Sequence, residues 1–128
     1  MSYYLAKTVT QDFDAVIQRV SAALKQEGFG ILTDIDVQAT LKTKVGADMP
    51  KYRILGACNP SFAHQALQLE NKLGVLLPCN VIVREQGPGQ VEVAAVDPVA
   101  SMGRVGNAQL TSVADEVRSR LQRMIDSL

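Results

Sequence analysis

Near the C-terminal end of this chain Leu110, Val113, Ala114, Val117, Leu121, Met124, Ile125 and Leu128 recur at helical spacing as one continuous apolar stripe. A stripe this wide demands a broad apolar partner, and a sheet is the surface it most often finds. Asp115 and Glu116 stand near the start of the predicted helix, with Arg118, Arg120 and Arg123 nearer its end, as the helix dipole favours. Glu116 and Arg120 have the favourable four-residue order. The stripe also offers a candidate contact for a second copy of the chain. A matching helix is predicted near the N-terminal end, where Phe13, Val16, Ile17, Val20 and Leu24 share a face and Gln18, Arg19, Lys25 and Gln26 fall off it. Thr10 is its expected cap, Asp12 and Asp14 place charge in its first turn, and Gly28 stops it.

Between and around these helices lie five strand patterns, at residues 3–9, 29–35, 51–58, 75–85 and 90–96. In the third, Tyr52, Ile54, Gly56 and Cys58 alternate with Arg53, Leu55 and Ala57. In the fourth, Val75, Leu77, Cys79, Val81 and Val83 share a face, and Pro78 predicts an edge position or a bulge. A Gln-Gly-Pro-Gly turn at residues 86–89 joins the last two strands as a hairpin. Asp36 caps a short helix with Val37, Leu41 and Val45 on a rough apolar face, ended by Gly46. Lys42 and Lys44 sit at its end, as a solvated helix terminus or an anion-binding edge. Asn59-Pro60 starts another helix, expected to run to about Leu73 and to bury some of Phe62, Ala63, Ala66, Leu69 and Leu73. Residues 99–106 read as an irregular connection or a single helical turn. The implied architecture is α+β: a five-stranded, mainly antiparallel sheet covered by helices, in one domain over residues 1–128.

Composition narrows the function. Thirteen Lys+Arg balance thirteen Asp+Glu, which argues against a general nucleic-acid or anionic-membrane binder. The start of the chain lacks a basic, apolar signal-like segment, and the apolar, uncharged run at residues 74–83 is far too short to span a bilayer as a helix. A cytoplasmic location follows as an expectation. In that compartment Cys58 and Cys79 are expected as free thiols.

The runs LTDIDVQATLK (residues 32–42), YRILGACNP (52–60), LLPCNVIVRE (76–85) and VDP (96–98) resemble the bacterial and archaeal domain-of-unknown-function family 302. The resemblance covers nearly the whole chain and is carried above all by its two Cys-Asn motifs. It implies a fold similar to the TATA-binding-protein-like class, a curved antiparallel sheet of β-α-β(4)-α order, often dimeric. The short helix and the one begun at Pro60 would then be insertions. No established activity comes with the resemblance, and kinship of fold to nucleic-acid or lipid binders is analogy.

The chemistry-bearing residues gather in one stretch. Cys58-Asn59-Pro60 and Pro78-Cys79-Asn80 repeat a dipeptide beside a proline, and His64, the one histidine, lies a turn into the helix between them. Helix-start amides favour a thiolate, so a lowered Cys58 pKa is expected. If the third and fourth strands are neighbours, Cys79 can face Cys58. Cys58, Asn59, Cys79 and Asn80 are thus the candidate ligand-binding residues, and Cys58, His64 and Cys79 a candidate metal set that matches no standard zinc spacing. The bland alternatives are two small buried hydrophobes, a helix cap and an exposed histidine. No catalytic group and no cofactor can be named. Three functions stay open: a small-ligand or protein-interaction module working as a homodimer, a sulfur-carrier or redox protein using both thiols, and a metal-binding protein using them with His64.

Overall fold

The computed structural model describes residues 2–128. Its elements run β1 (Tyr4–Thr10), α1 (Phe13–Gln26), β2 (Gly30–Asp36), α2 (Val37–Val45), β3 (Tyr52–Cys58), α3 (Pro60–Leu69), β4 (Cys79–Gly87), β5 (Gln90–Val96), α4 (Pro98–Gly103) and α5 (Thr111–Asp126). Single 3-10 turns lie at Leu73–Leu76 and Ala108–Leu110. The strands form one open sheet in the order β1-β5-β4-β3-β2, and every pairing is antiparallel. This is the expected α+β architecture in β-α-β(4)-α order, with α2 and α3 inserted.

Alternation along the strands builds two unlike faces. Leu55 pairs with Val81, Val81 with Ala95, Val83 with Val93 and Leu5 with Ala95, and all are buried on the side where the helices lie. Helices α1 and α5 cover that side: Phe13, Val16, Val20 and Leu24 come down from α1, and Val113, Ala114, Val117, Leu121, Met124 and Ile125 from α5. The C-terminal stripe is therefore buried inside its own chain rather than offered to a second copy. The other side, with Tyr4, Tyr52, Ile54, Ile82, Ala94 and Val96, faces away from α1 and α5. The Glu116–Arg120 pair forms at 3.0 Å.

Several local expectations need correction. Asp12, not Thr10, caps α1, accepting from the Ala15 amide; Thr10 stays in β1 because it pairs with Gln90. The helix begun at Asn59-Pro60 ends at Leu69, not Leu73. The fourth strand starts at Cys79 rather than at residue 75, and the apolar run before it is a 3-10 turn with Val75 85% exposed. Pro78, after a cis peptide bond, precedes a central strand and marks neither an edge nor a bulge. The bulges fall at Leu32 and Gln86 instead. Helix α2 has the predicted Asp36 and Gly46 ends but buries no residue, since it follows the edge strand β2 and reaches past the core. At its end Lys42 pairs with Asp48 at 2.8 Å, so that lysine is neutralised locally. Among the described residues no helix is long and apolar enough to cross a membrane.

Candidate functional site

A pocket of about 290 Å³ opens where β3 ends, α3 begins and β4 starts. Local chemistry explains the junction. Cys58 is the last residue of β3; Asn59 then leaves the strand and caps α3, its Oδ1 accepting from the Phe62 amide at 3.5 Å, and Pro60 takes the first helical position. Helix α3 is thereby set over the end of the sheet, where it meets α5. Buried Ala57, Ala66, Phe29, Met102, Val113 and Val117 form the inner wall. Leu32 and Leu67, 68% and 38% exposed, stand at the rim. Phe62 is held as a wall by Arg120, whose guanidinium lies 5.1 Å from its ring centroid while bonding Glu116 and the Glu27 carbonyl.

Both cysteines line this pocket, and both are free. The neighbouring of the third and fourth strands, expected only conditionally, is found: Ala57 pairs directly with Cys79, which puts Cys58 one step along the same junction. Their settings differ. Cys58 is half-buried, whereas Cys79 is 8% exposed. Burial, with the nearby Cys58 as a smaller cause, pushes the Cys79 thiol up to about 11. At neutral pH Cys79 is a protonated, apolar wall element.

The remaining sequence candidates divide. Asn59 lines the pocket, but its oxygen serves the α3 cap. Asn80 does not: one residue after Cys79 on the strand, it faces the opposite side and lines a depression of about 550 Å³ on the uncovered sheet face. His64 is exposed, and its Nε2 lies 3.3 Å from the Gln68 amide nitrogen rather than at the thiols. Among the described residues no three His, Cys, Asp or Glu side chains gather as a metal site, so the Cys58–His64–Cys79 set is not assembled. Sequence reasoning missed most of the wall. Phe29 precedes β2, Met102 lies on α4, and Val113 and Val117 share α5, and each looks like ordinary core by local pattern.

Fold and pocket together define an α+β protein with one bare sheet face and an apolar, two-thiol pocket at the sheet's end. The chain belongs to the family described as Domain of unknown function DUF302, whose model matches residues 5–128. It is similar to the crystal structure of an uncharacterized conserved protein DUF302 from Bacillus stearothermophilus, with a TM-score of 0.91 at 28% identity over 98% of each chain. Among curated proteins none matches.

Proposed function

We propose that the protein binds a small apolar or amphiphilic molecule in the pocket at the end of β3 and β4. One observation carries this reading: a cavity of about 290 Å³ whose wall is almost wholly hydrocarbon and thiol. Pockets of this kind bind by burying apolar ligand surface, with a few polar groups at the mouth to orient it. Octanoate competing with the fluorescent dye 1-anilinonaphthalene-8-sulfonate tests it. Octanoate should displace the dye from the native chain, and Ala63→Phe, which fills the pocket from the half-buried side of α3, should weaken that displacement strongly. Equal displacement from a folded Ala63→Phe variant would sink the reading.

Thiol chemistry at Cys58, in sulfur transfer or redox, is the second reading, favoured because both cysteines are among the residues lining one pocket. The high pKa of Cys79 weighs against its acting as a partner thiolate.

We also infer a homodimer through the uncovered sheet face, in a soluble cytoplasmic setting. Tyr4, Tyr52, Ile54, Ile82 and Val96 make this face apolar, and Arg84 and Glu92 pair across it at 2.7 Å. An adjacent cation and anion are self-complementary under two-fold symmetry, because each can meet its opposite on the other copy. Sedimentation should show a dimer that Ile82→Lys converts to monomer. A native monomer, or an undisturbed Ile82→Lys dimer, would remove this inference.

A further inference from the structure

We propose that α3 is a flap over the pocket, fixed at its Asn59 end and latched at its Leu69 end by the side chain of Asn107, and that the pocket is entered when this latch releases. This rests on the reading of the pocket as an apolar binding site and adds the way into it.

The two ends of α3 are held unequally. At the first end Asn59 fits against Gly28, where an added Cβ would lie 2.9 Å from the asparagine's side-chain nitrogen. Phe62 lies 5.1 Å from the Arg120 guanidinium, which is itself tied to Glu116 and to the Glu27 carbonyl. At the other end Leu67 and Leu69 are 38% and 36% exposed, and Ala66 is the one residue of α3 that is buried. Little apolar surface therefore holds this half down. Its tie is a solvent-exposed hydrogen bond of 2.9 Å, donated by Asn107 Nδ2 to the Leu69 carbonyl. Among the described residues no other side-chain hydrogen bond joins α3 to a distant part of the chain. The chain returns to the core only at Leu73, 1% exposed, so residues 63–72 are the part that swings.

That part is the outer wall of the pocket. Ala63, Ala66 and Leu67 line the cavity from α3, and buried Cys79 lines it from β4. An outward swing of the distal half of α3 widens the mouth and brings solvent to Cys79. Segments that admit ligands are drawn from the weakly held parts of a fold. Asn107 has a second role through its other side-chain atom. Its Oδ1 accepts from the Gln109 amide at 3.0 Å and caps the 3-10 turn that leads into α5. One side chain thus ties the end of α3 to the start of α5, which makes Asn107 a positioning residue for the pocket wall. The two roles are chemically separable, because aspartate keeps the acceptor and lacks the donor.

The test compares the full native chain with Asn107→Asp. Iodoacetamide labelling of Cys79, mapped by peptide mass, reads the opening. Stopped-flow association of 1-anilinonaphthalene-8-sulfonate, with octanoate as the blocking competitor, reads entry. Hydrogen exchange in α5 reads general loosening. Losing one hydrogen bond shifts an opening equilibrium about fivefold. Cys79 labelling and dye association should both speed up by about that factor, with exchange in α5 unchanged. Asn107→Ala, which removes both roles, should add faster exchange at the start of α5. Labelling that is unchanged in Asn107→Asp, or accelerated no more than exchange in α5, overturns the latch. Faster labelling with unchanged dye association overturns the flap as the way in and leaves the binding site standing. Dye association that octanoate blocks in neither protein overturns the pocket reading, and the Cys79 labelling still decides the latch.

Discussion

The same dipeptide, Cys-Asn, occurs at the end of β3 and at the start of β4, and the two copies have been given opposite environments. Cys58 is half-buried at a strand terminus, and Asn59 turns its side chain back to cap the following helix. Cys79 enters the middle of the sheet, 8% exposed and opposite Ala57, and Asn80 is exposed on the uncovered face. In the first copy the chain leaves the strand straight after the cysteine, so the asparagine is free to serve a helix. In the second the strand continues, and its alternation sends neighbouring side chains to opposite faces. Chemistry here is assigned by where a strand stops, not by the motif itself.

Gly56 holds the two copies in register, and substituting it should break the difference most. It pairs with Asn80, and a Cβ added there would lie 2.1 Å from Thr33 Oγ1 and 2.7 Å from Pro78 Cγ. The proline ring cannot rotate away, so Gly56→Ala must displace the start of β4. The expected cost is about 3 kcal/mol, the upper range for overpacking, read as a lowered urea midpoint. In the same variant Cys79 should become alkylatable without denaturant. An unchanged midpoint would show that the Pro78 side of the junction is soft.

The next effect separates the thiols by pH. Cys79 has a folded-state pKa near 11 against an ordinary 9.0, so the native state holds this proton more tightly than the unfolded chain. Its contribution is fully present below pH 9 and is lost as pH rises through 11. Relative to Cys79→Ala, the native protein should lose on the order of 2 kcal/mol across that interval. A difference between the two that stays flat with pH would mean that Cys79 is solvated and that the two thiols are alike after all.

Most of the fold was legible in the residues because its two covering helices carry long one-sided stripes and its inner strands alternate cleanly. The misreadings have physical reasons. The run before Cys79 is apolar throughout, so periodicity alone cannot tell a strand from a turn there. Thr10 and Asp12 are both good caps, and the choice is made by the pairing of Thr10 with Gln90, a partner eighty residues away. The spacing of Val37, Leu41 and Val45 is helical, yet an apolar face is buried only if enough lies opposite it, and a short helix following the edge strand buries none of its residues fully. The pocket was half legible. Its thiols stood out, but its wall is assembled from β3, α3, α4 and α5 by tertiary packing. Grouping Asn80 with Cys79 overlooked the alternation that was already visible in the sequence.

Paired serine substitutions sharpen the comparison at smaller scale. Cys79→Ser places a hydroxyl in an apolar wall and should cost about 1–2 kcal/mol, while Cys58→Ser, at a half-exposed strand end, should cost about 0.5 kcal/mol or less. Equal losses in thermal or urea unfolding would mean that the two sites are equally buried in solution.

The two asparagines should differ least, and in a way that only the cap explains. Asn59→Ala removes the side-chain acceptor for the Phe62 amide, a loss of about 1 kcal/mol for a helix N-cap. Asn59→Asp keeps an acceptor and adds charge at the helix start, so it should recover most of that stability. Asn80→Ala removes only an exposed side chain and should stay within about 0.5 kcal/mol of the native protein. Urea unfolding of the three variants reads the order directly. Because α3 forms one wall of the pocket, Asn59→Ala should also loosen octanoate binding, whereas Asn80→Ala should leave it unaltered. If Asn59→Asp failed to recover stability, the cap would not be what fixes α3 over the sheet end, and the tight packing of Asn59 against Gly28 would have to do so instead.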